Sequence, residues 1–320
     1  MRMNEQEIRE RKAAIEAEFG AWTALNIPLG YGINTNPERM TNFLLRRVTQ
    51  AITDLSMKPW DQLRVLDLGS LEGIYALEFA SHGAQVVGIE GRESNNAHAR
   101  FAAEALGLSN VEFVTDDVRN LCQEKYGRFD VVFCSGILYH LTGVDCCCLL
   151  SSIAQMCQRL TIIDTQVGMK SDSSFSWKGK TYRGFVFTEH APGDTPEVKA
   201  SHKWASLDND TSFWLTKPSL LNLLRDVGFT SVFEVHNPNS DAIYSDRFTF
   251  AALVGGSRQS VNMAPHIAQI QEPDWTEHSN LIPHPGQLPP PTHHRPLWRR
   301  VAGPLWRQIH RRDTSKTRSQ

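Results

Sequence analysis

The spacing of apolar and polar positions changes near residue 60. Before that point, residues 4–18 place charged and apolar side chains at helical spacing, and a second helix is expected at 38–56. After it, short β-branched runs alternate with helical stretches, which is typical of parallel strands joined by crossover helices. The pattern therefore predicts an α/β fold built on a doubly wound, mostly parallel sheet.

The second pattern gives five strands and the helices between them. The strands are predicted at 63–68, 85–89, 110–115, 129–134 and 159–163, and the helices near 72–82, 93–106 and 143–157. The alternation stops after Asp164 for about fifty residues that are rich in aromatic and turn-forming side chains. It resumes with a helix at 217–227 and strands near 230–236 and 247–254.

These boundaries divide the chain into three regions. Residues 1–57 hold the N-terminal helices and an irregular stretch at 20–37, called here the N-terminal segment. Residues 58–255 form the α/β domain, whose insertion at 165–216 is called the cap. An insertion after the fifth strand lies over the carboxyl ends of the strands, where open α/β sheets bind ligands. The cap is therefore predicted to cover a substrate.

Residues 256–320 have the composition of a proline-rich linker followed by a basic tail. Eight basic residues and one acidic residue between 291 and 320 give that stretch a charge of +7, which leaves −9 for residues 1–290 because the whole chain carries −2. Pro-Leu-Trp-Arg occurs twice, and it places Trp298 and Trp306 eight residues apart. Two hypotheses stay open: weak membrane contact through an amphipathic helix, or a flexible or self-docking tail.

Charge and cysteine spacing limit the partners and the compartment. A body with a charge of −9 lacks the positive field of a nucleic-acid binder, so nucleic acid is not an expected partner. The charged N-terminus lacks the apolar core of a signal peptide, and the six cysteines show no regular disulfide spacing. We therefore expect a cytoplasmic protein with reduced cysteines.

The spacing of cysteine and histidine predicts no metal site. On a helix, the adjacent side chains of Cys146, Cys147 and Cys148 point about 100° apart and cannot all meet one ion. They are predicted to be small core residues. His293 and His294 lie in the linker, and Asp130 should begin its strand, far from the ligand-binding end.

The first strand ends in an acid and continues into glycines. Residues 65–73 read Val-Leu-Asp-Leu-Gly-Ser-Leu-Glu-Gly, in which Asp67 precedes the turn glycines Gly69 and Gly73. Glycines at such a turn let the backbone approach a ligand closely. A dinucleotide would need a richer glycine pattern and would place phosphates beside Asp67. S-adenosylmethionine (SAM) has no phosphate and carries an ammonium and a sulfonium, so the acid suits it.

The next strands also end in residues that can bind parts of SAM. Glu90 lies where such folds hold the two hydroxyls of a ribose. A carboxylate of Asp116 or Asp117 can accept a hydrogen bond from an adenine amino group, and only one of the two can face it. The fourth strand ends at Cys134 and leads to a loop beneath the expected point of methyl transfer, with the sequence Ser-Gly-Ile-Leu-Tyr-His at 135–140.

With these four motifs in order, residues 60–165 resemble the class I SAM-dependent methyltransferases, and the likeness extends more loosely to 254. The resemblance implies a seven-stranded Rossmann-like sheet, with Asp67, Gly69 and Gly73 around the amino-acid part of SAM and Asp117 with Val118 at adenine. One departure is Leu71, which stands where the family usually has its middle glycine. The complete cofactor site is assigned to Asp67, Gly69, Ser70, Gly73, Glu90, Gly91, Arg92, Asp116, Asp117, Val118, Cys134 and Tyr31.

A second likeness concerns the loop at 136–140 and the N-terminal segment, with Trp22, Asn26 and Gly32. Both are similar to the branch that contains the tRNA wobble-uridine carboxymethyl-transferring enzymes. This resemblance implies that residues 20–37 fold over the cofactor as a lid, with Tyr31 as a contact.

His140 is the candidate general base, because an imidazole can take a proton from a hydroxyl or amine as the methyl arrives. A purely structural role in the loop is the alternative, since methyl transfer can proceed largely by alignment of the reactants. Contacts to the acceptor are assigned to Tyr139, His190, Trp204, Asn209, Trp214 and Arg247.

These residues predict a SAM-dependent, metal-independent methyltransferase whose acceptor is a small molecule, methylated at oxygen. The enclosed aromatic cap favours a compact acceptor. Two alternatives stay open. One is an RNA-modifying methyl or carboxymethyl transferase, and the other is a catalytically silent SAM-binding protein, which Leu71 would explain.

Overall fold

The computed structural model describes residues 3–39, 43–236 and 246–255. The predicted linker and tail at 256–320, with Trp298 and Trp306, lie outside the described residues. The helices are α1 (Glu5–Phe19), α2 (Phe43–Leu55), α3 (Ile74–Ser81), α4 (Glu93–Leu106), α5 (Gln123–Tyr126), α6 (Gly143–Met156), α7 (Pro196–Ser201) and α8 (Lys217–Asp226). Short 3₁₀ turns occur at Trp60–Gln62, Val118–Asn120 and Leu138–His140.

Twelve strands are present in the described residues. They are β1 (Pro28–Gly30), β2 (Ile33–Asn34), β3 (Arg64–Leu68), β4 (Gln85–Glu90), β5 (Val111–Thr115), β6 (Phe129–Ser135), β7 (Cys157–Gln166), β8 (Ser173–Trp177), β9 (Lys180–Thr188), β10 (Thr211–Leu215), β11 (Ser231–Glu234) and β12 (Arg247–Leu253).

The main sheet has seven strands in the order β11-β12-β7-β6-β3-β4-β5. Strands β3 to β7 pair in parallel, whereas β12 runs antiparallel to both β7 and β11. Central strand β6 is buried at every position except Ser135, as expected for a parallel strand covered by helices on both faces. The predicted doubly wound, mostly parallel, Rossmann-like sheet is confirmed.

Two hydrophobic cores cover the two faces of this sheet. One core contains α6 and α8 together with cap residues such as Tyr182 and Phe213. The other contains α3 and α4 together with Ile8, Trp22 and Leu29. The N-terminal segment and the cap are thus packed into the α/β domain from opposite faces.

The cap contains a three-stranded antiparallel sheet in the order β10-β9-β8, where the sequence predicted no strands. Lys178 and Gly179 both have positive φ, 48° and 78°, and connect β8 to β9. Positive φ at both central residues is the conformation of a type I′ hairpin turn. The cysteine prediction holds for Cys146 and Cys147, which are buried, and is wrong for Cys148, which is exposed because it lies on the outer side of α6.

None of the helices in the described ranges is long and apolar enough to cross a membrane.

Candidate active site

Parallel pairing brings the predicted strand ends to one edge of the sheet. Leu68 is in register with Ile89 on one side and with Cys134 on the other. Asp67, Glu90 and Cys134 therefore lie at the same edge of the sheet. Burial together with the charge of Asp67 raises the pKa of the Cys134 thiol to about 12. This edge is where open α/β sheets bind their ligands.

Asp67 is a buried carboxyl group with an unused oxygen. The residue is 1% exposed, and its Oδ2 has no hydrogen-bond partner among the described residues. Burial raises the pKa of Asp67 to about 7, the Ala76 backbone amide opposes the rise, and the charge of Glu90 adds to it. Because buried polar atoms normally have partners, the free oxygen fits a site for a cationic ligand group.

The loop after β3 has a left-handed backbone and packs closely against its neighbours. Gly69 has φ 68°, and a Cβ there would lie 2.1 Å from Cδ1 of Ile137. The Oγ of Ser70 is buried without a partner in the part of the chain that the structure describes. Leu71 adopts φ 48°, so the loop keeps the left-handed conformation that the family glycine would favour. Leu71 therefore leaves the backbone of this loop in the conformation expected with a glycine at this position.

Glu90 at the end of β4 organises this loop. Its Oε2 accepts a hydrogen bond from the Leu71 amide at 3.1 Å, and its Oε1 accepts one from the Arg92 amide at 2.9 Å. Burial raises the pKa of Glu90, and the Arg92 amide and guanidinium oppose the rise. Each carboxylate oxygen can accept more than one hydrogen bond, so both can still receive a ribose hydroxyl.

We expect Glu90→Ala to weaken SAM binding by about 1–3 kcal/mol, because two charge-assisted hydrogen bonds are lost. Isothermal titration calorimetry measures the change, and Glu93→Ala at the exposed neighbouring acid is the matched control. Unchanged affinity in Glu90→Ala would show that the ribose assignment is wrong.

Arg92, predicted as a cofactor contact, joins this edge to the cap. Its Nη2 donates to the carbonyl oxygens of His202 and Ala205, both at 3.1 Å. Gly91 lies against the same region, because a Cβ on it would be 2.4 Å from Leu207 Cδ1. The guanidinium of Arg92 is thus engaged in the cap.

The two acids after β5 are held in different networks. Burial would raise the pKa of Asp116, but hydrogen bonds from Asn120, Lys125 and Tyr126 outweigh it and hold that pKa well below its usual range. Asp117 begins the turn at Val118–Asn120 and pairs with Arg119, whose Nη2 also lies 2.8 Å from Asp208 in the cap. Their contacts with adenine, like that of Val118, stay predictions.

A buried acid, Glu72, anchors the N-terminal segment to the glycine loop. Its Oε1 accepts from the Thr23 amide at 2.7 Å and its Oε2 from the Ala24 amide at 2.8 Å. His98 on α4 lies against the same segment, with its ring 4.3 Å from that of Trp22 and its Nε2 3.1 Å from the Gly20 carbonyl oxygen. Glu72 was not among the predicted site residues, although it stands within the glycine motif.

We expect Glu72→Ala to destabilise the protein by about 1–3 kcal/mol, because two backbone amides lose a charged acceptor. Hydrogen exchange at Thr23 and Ala24 should accelerate, and thermal unfolding measures the loss of stability. Glu78→Ala, at a half-buried acid of α3 that makes no contact with the N-terminal segment in the described residues, is the control. Unchanged exchange at both amides would contradict the anchoring role.

Tyr31, the predicted lid contact, lies at the turn between β1 and β2 with φ 50° and is 56% exposed. Its contact with the cofactor stays a prediction.

His140, in the 3₁₀ turn that follows β6, forms a pair with Glu189 of the cap. Its Nδ1 lies 3.0 Å from Oε1 and 3.1 Å from Oε2 of Glu189. Glu189 is buried and also accepts from the Ser206 amide at 3.0 Å and the Ser212 hydroxyl at 2.7 Å. Burial would raise the pKa of Glu189, but the hydrogen bond and charge of His140 outweigh it and lower that pKa.

Two aromatic rings and an ion pair lie near the His140–Glu189 pair. The Tyr139 ring is 4.3 Å from that of His140 and 5.6 Å from that of Trp214, whose Nε1 is buried with no partner in the described ranges. Arg247 on β12 donates through Nε to Asp164 at 2.5 Å. The charge of Arg247 is therefore neutralised at this end of the sheet.

The other predicted acceptor contacts are placed differently. Asn209 donates from Nδ2 to the His140 carbonyl oxygen at 3.2 Å, so it supports the histidine from the cap. Both ring nitrogens of His190 lie against other cap groups, namely His202 and the Ser206 carbonyl. Trp204 is 48% exposed beneath the guanidinium of Arg39. Their contacts with an acceptor stay predictions.

Residues 65–159 match a family described as a methyltransferase domain. The ubiquinone biosynthesis O-methyltransferase of Acinetobacter baumannii (strain AYE) is 35% identical over 97 residues, which are 30% of this chain and 38% of that protein. The match thus spans less than half of the relative's length. The protein of the same name from Roseobacter denitrificans is 28% identical over 200 residues, which are 62% of this chain and 72% of that protein.

The crystal structure of the N-terminal domain of EvdMO1 in the presence of SAH and D-fucose superposes with a TM-score of 0.61. It is 25% identical, and the alignment covers 79% of this chain and 98% of that chain. A second structure of that domain, with SAH bound, has a TM-score of 0.59. The family match thus identifies residues 65–159 as a methyltransferase domain, and the sheet order, the acidic strand ends and the SAH-bound neighbours support SAM as its cofactor.

Proposed function

We propose that this protein transfers the methyl group of SAM to a hydroxyl oxygen of a small molecule, with His140 as the general base. The observation that carries the proposal is the hydrogen-bonded pair of His140 and Glu189 next to the SAM site. A histidine oriented by a buried carboxylate is a common arrangement for proton removal from a nucleophile.

The pair fixes which nitrogen of His140 is basic. A carboxylate can only accept, so Nδ1 must carry the proton that it donates to Glu189. In the neutral ring, Nε2 then holds the lone pair. When bound, SAM would supply an electrophilic methyl carbon, and its sulfonium sulfur would keep both electrons of the bond to that carbon. His140 Nε2 takes the hydroxyl proton as the acceptor oxygen forms its new bond to carbon.

Glu189 stabilises the imidazolium that this proton transfer creates. Its pKa is lowered, so it stays ionised when the ring becomes charged. The Ser206 amide and the Ser212 hydroxyl hold its two oxygens in place, and Asn209 fixes the backbone of His140. The histidine is thus oriented before the acceptor arrives, which reduces the cost of alignment.

The surroundings favour a compact, hydroxylated acceptor. Tyr139 and Trp214 provide flat apolar surface, and the unpaired Nε1 of Trp214 can donate to an acceptor oxygen. The relatives from A. baumannii and R. denitrificans are named as O-methyltransferases, and the EvdMO1 domain was crystallised in the presence of D-fucose. These names support a hydroxyl oxygen of a small molecule as the acceptor group.

An RNA acceptor fits the described residues less well. Arg92 donates to cap carbonyls, Arg119 pairs with Asp117 and Asp208, and Arg247 pairs with Asp164. Cations engaged in this way are poorly placed to bind phosphates.

The test is to incubate the full chain with methyl-labelled SAM and fractionated extract of its source cells. We expect label in the small-molecule fraction, in a product that mass spectrometry identifies as a methyl ether. Label in the RNA fraction, or in an N-methyl product, would contradict the proposal. Tight SAM binding without transfer to any fraction would favour a catalytically silent protein.

A further inference from the structure

Three groups of the cap converge outside the methyl-transfer site. His190 follows β9, Asp194 lies in the next turn, and His202 follows α7. Each offers one ligand atom, and these atoms all lie within 4.8 Å of one another. Two imidazoles and a carboxylate form a set of ligands that zinc and similar divalent transition metals prefer.

The buried histidine presents a lone pair to this point. His190 is 3% exposed, and its Nε2 lies 2.8 Å from the Ser206 carbonyl oxygen. Since a carbonyl oxygen can only accept, Nε2 carries the proton and Nδ1 of the neutral ring is unprotonated. A second ring nitrogen bonded to a backbone carbonyl is the usual support of a metal-binding histidine.

The separation of the two imidazoles matches a shared ion. Nδ1 of His190 lies 3.3 Å from Nδ1 of His202. Two nitrogens that are each about 2.0–2.1 Å from one tetrahedral ion lie about 3.3 Å apart.

From this geometry we infer that His190, Asp194 and His202 bind one divalent transition metal ion, with zinc as the best-matched ion. His202 is exposed and Asp194 is half-buried, so the ion can enter from solvent, and water can complete its tetrahedral shell.

The ion would brace the part of the cap that orients the active site. His190 directly follows Glu189, and the His202 carbonyl accepts from Arg92. The Ser206 amide donates to Glu189, while the Ser206 carbonyl accepts from His190. A metal held by His190 and His202 would therefore fix both ends of the segment 190–202. One end adjoins Glu189, which orients His140, and the other contacts Arg92, which lies next to Glu90.

The test compares metal binding by the full chain with binding by Asp194→Asn/His202→Ala. Both side chains are accessible from the surface, so the variant should fold, and SAM calorimetry verifies that it does. His293→Ala/His294→Ala, which removes the histidine pair of the linker sequence, is the matched control. Metal-depleted protein is dialysed against zinc, and bound metal is measured by mass spectrometry. Cobalt titration reports the geometry through its visible absorption.

We expect the full chain and the linker variant to bind one more zinc ion than the cap variant, or to bind it at least about tenfold more tightly. Cobalt should give a tetrahedral spectrum that the cap variant lacks. Zinc should also slow hydrogen exchange between residues 190 and 206 and raise the melting temperature of the full chain. It should have neither effect on the cap variant. Equal zinc binding by the full chain and the cap variant would overturn the inference. So would a cobalt spectrum that the cap variant retains.

Discussion

Replacing His140 by alanine is expected to lower kcat by a factor of about 10²–10⁴, the usual contribution of a general base. SAM affinity should stay within a factor of about three, because the histidine acts on the acceptor proton. Transfer of labelled methyl groups to the small-molecule fraction measures turnover, and calorimetry measures SAM binding. The proposed role thus separates kcat from cofactor affinity.

Two further variants sharpen this experiment. Glu189→Gln keeps the shape of the side chain but removes its charge, and it should lower kcat by at least about tenfold while leaving SAM binding nearly unchanged. His82→Ala, at an exposed histidine paired with Glu78, is the matched control and should behave like the unchanged protein. Near-normal turnover of His140→Ala would reduce the histidine to a structural role.

The main sheet was predictable because its strands are apolar runs bounded by turns. Strand β6 was expected at 129–134 and occupies Phe129–Ser135, and β3 was expected at 63–68 and occupies Arg64–Leu68. Strands of a parallel sheet are buried on both faces, so their sequences are nearly continuous apolar runs. Helices between consecutive strands restrict the order in which the strands can pair. The fold could therefore be derived from local pattern.

The cap sheet could not be derived in the same way. Strand β8 alternates between half-buried and exposed positions, and three of its five residues are serine, which has a weak preference for strands. Its turn at Lys178–Gly179 lacks the Asn-Gly or Asp-Gly signal of a two-residue hairpin. The alternation in β9, with Tyr182 and Gly184 inward, was the one local signal available.

The active-site pairings depend on this unpredicted sheet. His140 was identified from its place after the fourth parallel strand, whereas Glu189 lies 49 residues further along the chain. The antiparallel pairing of β9 with β10 sets the position of Glu189, so no local motif reveals its contact with His140. The grouping of His190, Asp194 and His202 has the same origin, and for this reason the sequence predicted no metal site.

The affinity for SAM is expected to rise about tenfold between about pH 5.5 and about pH 7, because Asp67 ionises over this range. Burial raises the pKa of Asp67 to about 7, so at lower pH most of the protein holds a neutral carboxyl group there. A cationic ligand binds the ionised form more tightly, and binding must therefore expel a proton below pH 7. The α-amino group of SAM stays mostly charged in this range, since the pKa of such groups is about 7.7–8.0.

Calorimetry in buffers of different ionisation enthalpy tests this directly, because the measured heat then includes the released proton. Near about pH 6, we expect the unchanged protein to release nearly one proton on binding SAM. Asp67→Asn keeps the size of the side chain and removes its titration, so it should bind SAM more weakly at neutral pH and with much less dependence on pH. Glu93→Ala, at an exposed acid, should keep the full dependence. If Asp67→Asn retained the same proton release, another group would have to carry the linkage, and the free carboxylate oxygen at the end of β3 would not be the site of the cofactor's ammonium group.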